Sequence, residues 1–500
     1  MNLASLPPGS QLPYCSMLPG RETHHASIMG EGAGYDVIVI GGGGAGMCAA
    51  IEACDAGARV ALLDADAKLG GSTALSGGVY YAAGTSVQRE AGIADDTADA
   101  MFEYYMTLNQ YRVEASLART LCDHAAEGLE WLIELGVSFP VAALYSSGVE
   151  SVARGHTAAD MGAGIAEALD REVAARDIDV ALDTRVEELL SDDSGPVVGV
   201  RIGGEDVRSA AVVLATGGFG ANPYLLNRHY PEAAAHGDWS WYIGNANCIG
   251  DGLALGESAG ADLVGHNRGL LLTTPNFKKE LEVYVPAWLV YVNREGRRFV
   301  NEVAEYAVMS GVVKAQTGGS CFAIFDDDAR AAARPDPRYA DAFAAGIISL
   351  NWVTEELDAQ IEAGKVIRAD SLNALAIRCG IRPGALLATV EKYNDDVAAG
   401  HDSMFFKRAD EMKPIRKAPF HAVEIKPAIV CLTSTGIRIN AHTQALDACD
   451  RPICGLFAAG ETTGGVLGER YIGGGNSIAN AIVFGRIAGQ QAALEFKRND

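Results

Sequence analysis

The feature that most limits what this chain can fold into is a glycine-rich run set between an apolar strand and a helix. Asp36-Val-Ile-Val-Ile40 is apolar and β-branched, the composition of a buried parallel strand. Gly41-Gly-Gly-Gly-Ala-Gly46 follows at once. Met47 to Ala56 reads as a helix stopped by Gly57, and Arg59-Val-Ala-Leu-Leu63 as a second strand ending at Asp64. Together they make a βαβ unit. Gly41, Gly43 and Gly46 fit G-x-G-x-x-G. The first glycine permits the tight turn, the second lets backbone approach a pyrophosphate, and the third allows close helix–strand packing. The helix N-terminus then faces the phosphates. Asp64 stands 23 positions after Gly41, where an acid binds ribose hydroxyls. Ala45 and Ala65 flank these positions and are counted with the same dinucleotide site.

Composition excludes several other classes. Hydrophobic residues make up 49% and charged residues 21%, which is globular composition. The net charge of −24 repels phosphate backbones and anionic membranes, so no nucleic-acid partner is expected. The 10 cysteines are scattered with no CxxC pair, which suits reduced thiols in a cytoplasmic protein and no metal site. No apolar run reaches the roughly 18 residues of a membrane span. Residues 1–34 are broken by Pro7, Pro8, Pro13 and Pro19 and lack a signal-peptide pattern. They are expected to be a flexible tail, with Met29 as the natural initiator.

Further glycine- and hydroxyl-rich segments set this site apart from an ordinary NAD site. Lys68-Leu-Gly-Gly-Ser-Thr-Ala-Leu-Ser-Gly-Gly78 follows the second strand. Val213-Leu-Ala-Thr-Gly-Gly218 and Leu456-Phe-Ala-Ala-Gly-Glu461 are strands running into glycine turns. In this order the four segments resemble the FAD-binding flavoproteins of the fumarate reductase and 3-ketosteroid dehydrogenase superfamily, from about Tyr35 to Ala493. The resemblance implies an α/β fold: a Rossmann-like FAD domain with a central parallel sheet, residues 35–264 and 415–500. An inserted α+β capping domain, 265–414, would supply part of an active site lying between domains.

The resemblance also implies FAD bound in an extended form. Asp64 would meet the adenosine ribose, and Glu461, after Gly460, the ribitol. Gly71, Ser72, Thr73, Ser76, Gly77 and Gly78 would line the pyrophosphate and flavin, with Ala215, Thr216, Gly217 and Asp251 completing the cradle. The helix opened by Asn476, Ser477 and Ile478 would point its positive end at the flavin pyrimidine. Members with covalent flavin carry a histidine in the loop that reads Gly71-Ser-Thr-Ala-Leu-Ser76 here, so non-covalent FAD is implied.

Three segments bear on the chemistry. Asn293-Arg-Glu-Gly-Arg-Arg-Phe-Val-Asn-Glu302 resembles a stretch common to both branches. Five positions after Asn301 the fumarate reductases place a proton-donating arginine; here stands Tyr306, as in the ketosteroid Δ1-dehydrogenases. In Glu469-Arg-Tyr-Ile-Gly-Gly-Gly-Asn-Ser477, Tyr471 and Gly475 match a tyrosine and a glycine that bind the ketone oxygen in the Δ1-dehydrogenases. Arg470 lies one place from the carboxylate-clamping arginine of dicarboxylate reductases. Leu432 stands where those reductases place a substrate histidine, while Ser151-Val-Ala-Arg-Gly-His156 resembles their other histidine segment. Tyr145 is a third candidate pocket tyrosine; Tyr104, Tyr105 and Tyr111 read as packing residues.

Removing hydrogens from carbons beside a ketone needs a polarised carbonyl, a base and a hydride acceptor. Tyr471 O–H and Gly475 N–H can form an oxyanion-hole pair. Tyr306 is the candidate base, and flavin N5 the hydride acceptor. The leading expectation is therefore an FAD-dependent dehydrogenase of a cyclic, steroid-like ketone, Δ1 or Δ4, passing electrons to an unidentified acceptor. The alternatives are a fumarate- or urocanate-type reductase of an activated alkene, a desaturase of a single-ring oxo acid such as 4-oxocyclohexanecarboxylate, a flavin-binding module without turnover, and a subunit of an electron-transfer complex. Acid precipitation should release the yellow cofactor into the supernatant; a pellet that stays yellow contradicts non-covalent FAD.

Overall fold

The computed structural model describes residues 34–192, 195–279, 285–335 and 350–499, with side chains up to residue 495. Apart from Gly34, the expected tail lies outside the described residues. These residues divide into two compact units: a larger one of 34–235, 244–270 and 430–499, and a smaller one of 236–243 and 271–429.

The larger unit is built from β1 (Tyr35–Ile40), α1 (Gly44–Asp55), β2 (Val60–Leu63), β3 (Val79–Tyr81), α2 (Ala98–Leu108), β4 (Ile178–Ala181), β5 (Glu205–Leu214), β6 (Gln444–Leu446), β7 (Pro452–Ala458) and α3 (Asn476–Asn499). Its main sheet runs β6-β7-β5-β1-β2-β4. The five strands from β7 to β4 are parallel, and β6 is antiparallel. Val37 lies between Val60 and Ala211. Val37, Ile38 and Val39 are all fully buried, which is why β1 is a continuous apolar run and not an alternating one. The strands Glu188–Ser191 and Val197–Ile202 extend the sheet from β5 as an antiparallel ribbon.

The sequence pattern starts the first helix at Met47; the backbone starts it at Gly44, so the last glycines of the motif form its first turn. The helix α3 likewise runs past Leu494, where the apolar periodicity ends. It packs tightly on α1. A Cβ at Gly485 would lie 2.4 Å from the Ala45 carbonyl oxygen, and one at Gly489 2.2 Å from that of Ala49. Two glycines one turn apart thus let the C-terminal helix seat on the helix of the first motif.

In the smaller unit, Val290–Val292, Cys321–Asp326, the first residues of the strand Phe420–Thr433, and Val366–Ala369 form successive antiparallel pairs. This sheet is covered on both faces, following the two-residue period of a strand. Phe322 and Ile324 enter one core with Leu375, Leu386 and Tyr393. Cys321, Ala323 and Phe325 enter the other with Met309, Trp352 and Leu357.

Candidate functional site: a flavin cradle

Two close approaches shape the turn after β1. Gly41 has φ +103°, and a Cβ there would fall 2.3 Å from the Ala215 carbonyl oxygen. A Cβ at Gly46 would lie 1.7 Å from the Gly41 carbonyl oxygen. At Gly43, by contrast, a Cβ would meet nothing within 4 Å. Gly43 is the N-cap of α1 and offers no side-chain cap; the Gly44 N–H goes to Thr73, and the next amides of the first turn have no intrahelical acceptor and are available to an anion. Ala45 is buried in the first turn, in the space that a Cβ at Gly460 would invade.

The loop 70–78 runs beside this turn, with Gly43 and Gly70 in a parallel bridge. A Cβ at Gly71 would lie 3.2 Å from Gly43 Cα. Thr73 Oγ1 accepts the Gly44 N–H at 3.2 Å. Ser72 Oγ accepts the Asn245 N–H at 3.0 Å and lies 3.6 Å from Cys248 Sγ. Ser76 closes a local turn, donating to the Thr73 carbonyl at 2.8 Å and accepting the Gly78 N–H at 3.2 Å. Gly78 presses on Met161, whereas Gly77 is exposed.

At the end of β2 the Asp64 carboxylate accepts the Gly42 N–H and, at 2.7 Å, the Asp66 N–H. Burial raises its pKa. Ala65 beside it is half-buried. Asn245 Nδ2 donates to Asp66 at 2.9 Å and so joins this corner to Ser72. In the turn after β5, Ala215 N–H donates to the Ile40 carbonyl at 2.8 Å, Thr216 Oγ1 accepts the Gly252 N–H at 3.0 Å, and Gly217 has φ +72°. Asp251 pairs with Arg185; burial raises its pKa and Arg185 opposes that rise.

After β7, Glu461 Oε1 accepts both the N–H and the hydroxyl of Thr433, at 2.8 and 2.9 Å. Burial lifts its pKa to about 7. At the start of α3, Asn476 Nδ2 donates to the Tyr105 hydroxyl at 3.0 Å, while its buried Oδ1 has no partner. Ile478, two residues on, is buried. The Tyr471 hydroxyl accepts the Ser477 N–H at 3.0 Å and lies 3.0 Å from Ser477 Oγ. Burial pushes Tyr471 up to about 12, against the opposing pull of Ser477 and the Gly475 amide, so it is a neutral phenol at pH 7. Gly475 has φ +101° and is pressed on β3, where a Cβ would lie 2.7 Å from the Tyr80 carbonyl carbon. Tyr471, Gly475, Asn476 and Ser477 are thus gathered at one helix N-terminus.

Other sequence-selected residues fall elsewhere. Tyr306 opens the helix Tyr306–Lys314 of the smaller unit and is 39% exposed. The segment before it is anchored by buried Glu302, which holds Arg298 at 2.8 Å and Lys407 at 3.0 Å. Tyr145, 38% exposed, pairs with Gly155 on a short strand. Leu432 is buried. His156 is buried between Thr85 Oγ1 at 2.9 Å and the Arg154 carbonyl at 2.8 Å, and burial lowers its pKa, as suits a structural histidine. Arg470 is exposed. The sequence reading missed Asn245 and Thr433, the residue after Leu432, and took Tyr105 for a packing residue.

These groups fit FAD. The uncapped helix end suits the phosphates, two half-buried carboxylates, Asp64 and Glu461, suit the ribose and ribitol hydroxyls, and the orphan Asn476 oxygen suits a ring N–H. Among the described residues there is no group of three or more potential metal ligands, and no helix is long and apolar enough to cross a membrane.

The raised Glu461 pKa makes stability pH-dependent. Between 4.5 and about 7 the native carboxyl keeps a proton that the unfolded one has lost. Stability of the FAD-free protein therefore falls as pH rises across that window. Glu461→Gln should flatten the slope in denaturant unfolding at stepped pH, and an unchanged slope contradicts the assignment.

Residues 36–478 match the family of FAD-binding domains. The chain is 33% identical over 477 residues to a fumarate reductase (cytochrome) of Shewanella frigidimarina, covering 93% of this chain and 78% of that protein. It is 31% identical to a urocanate reductase of Eggerthella lenta, covering 92% and 74%. The crystal structure of a 3-ketosteroid-Δ4-(5α)-dehydrogenase from Rhodococcus jostii RHA1 superposes with a TM-score of 0.73 at 24% identity, covering 94% of this chain and 99% of that one. That last likeness is one of fold, whereas the reductases share sequence as well. The chain belongs to the FAD-binding family of the flavoprotein fumarate reductases, and is an FAD-dependent oxidoreductase acting on CH–CH or C=C groups.

Proposed function

We propose that the protein reduces an alkene activated by a conjugated carbonyl, in preference to dehydrogenating a ketosteroid. The observation that carries this reading is the relationship to a fumarate reductase across 93% of the chain. Bound FAD supplies the hydride. The Tyr471 O–H and Gly475 N–H hold the carbonyl oxygen and draw charge away from the β-carbon. A neutral Tyr471 is in the donating form this requires.

Tyr306 gives its proton to the α-carbon. The direction matters here. As an acid, a tyrosine with a reference pKa near 10 is ready at neutral pH. As the base of the reverse reaction it would first need a stabilised phenolate. The resemblance also speaks to substrate polarity. Tyr306 and Leu432 stand where dicarboxylate reductases place arginine and histidine, which favours a conjugated ketone over a dicarboxylate.

Tyr306→Phe should slow alkene-dependent reoxidation of the reduced protein by about 10²–10⁴-fold, with FAD content and melting temperature kept. Tyr471→Phe should both slow turnover and raise KM for the ketone. Parent-like kinetics in Tyr306→Phe would remove the proton-donor assignment.

A further inference from the structure

The segment from Val466 to Asn476 carries Tyr471 and Gly475 and ends at the N-terminus of α3. It contains Gly468, Gly473, Gly474 and Gly475, so it has little stiffness of its own. Its anchors come from other parts of the larger unit. Tyr104 donates to the Ile472 carbonyl at 2.8 Å, and Asn109 Oδ1 accepts the Arg470 N–H at 2.8 Å. Ser147 Oγ donates to the Gly474 carbonyl at 2.9 Å.

Tyr105 does something different. Its ring is fully buried in α2. Its hydroxyl donates to the Val466 carbonyl at 2.8 Å and accepts Asn476 Nδ2 at 3.0 Å. One phenol oxygen therefore ties both ends of the loop, and it does so through a side chain of the helix terminus itself. The bond also settles which way the Asn476 amide points. Nδ2 is spent on Tyr105, and the acceptor Oδ1 is left buried without a partner. An apolar side chain of the same shape would pack the core as well, so packing alone does not call for the hydroxyl.

We propose that Tyr105 is a positioning residue for the flavin: it holds the α3 N-terminus and the Asn476 carbonyl in place against the bound ring and thereby raises the FAD reduction potential. A fixed positive helix end favours the extra negative charge of reduced flavin, and a loosened one favours it less. The inference rests on FAD lying at the start of α3. It does not rest on which alkene is reduced.

The test is Tyr105→Phe in the FAD-loaded protein, titrated anaerobically against a redox dye. The ratio of reduced to oxidised flavin at a fixed dye potential should fall on the order of fivefold, the worth of one hydrogen bond. The visible bands of the flavin should shift, with FAD still bound. An unchanged potential and spectrum, whatever the melting temperature does, would overturn the proposal by leaving Tyr105 a packing residue. If Tyr105→Phe does not fold, Tyr105→Met takes its place, since it removes the same hydroxyl and leaves Asn476 intact. A lowered potential there supports the proposal and an unchanged one overturns it. No readout involves a substrate, so these results stand apart from the fate of the reductase reading.

Discussion

Where the turn after β1 passes the Ala215 carbonyl there is room for backbone and for nothing else, and the cradle follows from that approach. Parallel pairing of β7, β5, β1 and β2 brings their C-terminal ends to one edge of the sheet. The glycine turn at 41–46, the turn at 215–217 and the Gly460-Glu461 corner all leave from that edge. Ligands bind at such an edge in open parallel sheets because the strand ends and helix N-termini converge there. The third glycine of the motif is needed because α1 must lie against the turn, and Gly485 and Gly489 are needed because α3 must lie against α1.

The polar groups of the cradle are held by burial more than by ion pairing. Glu461 and Tyr471 both have their pKa raised chiefly by loss of water, to about 7 and about 12. Glu461 has Thr433 as its partner, a neutral residue. Tyr471 has the amide and hydroxyl of Ser477. Such sites carry little charge of their own and leave the ligand's charges to the helix termini. Asp251, with Arg185, is the exception, and it lies at a more exposed corner.

Gly41 and Gly46 were legible in the sequence because a position without room for a side chain admits glycine alone. The strand Asp36–Ile40 was legible because burial on both faces leaves no polar alternation. The contacts that complete the site were not. Thr433 and Glu461 are 28 residues apart, Asn245 and Asp66 are 179 apart, and Tyr105 and Asn476 are 371 apart. Nothing local in the chain announces such pairs. Tyr105 looked like one of several packing tyrosines on a helix, and its hydroxyl became informative only with its two partners in view. In the proposed function, Tyr306, Tyr471 and Leu432 argue for a ketone as substrate, whereas the sequence relationship over the rest of the chain, to a fumarate and a urocanate reductase, argues for alkene reduction.

The most direct test of that combination is anaerobic stopped-flow of the flavin absorbance at roughly 450 nm, which follows the cofactor's redox state. Chemically reduced protein is mixed with a conjugated cyclic enone or with fumarate, and oxidised protein with the saturated ketone. The account predicts fast recovery of the yellow colour with the enone, slow recovery with fumarate, and little bleaching of the oxidised protein by the saturated ketone. Fast bleaching by the saturated ketone, with no recovery on either alkene, would contradict it and make the protein a dehydrogenase.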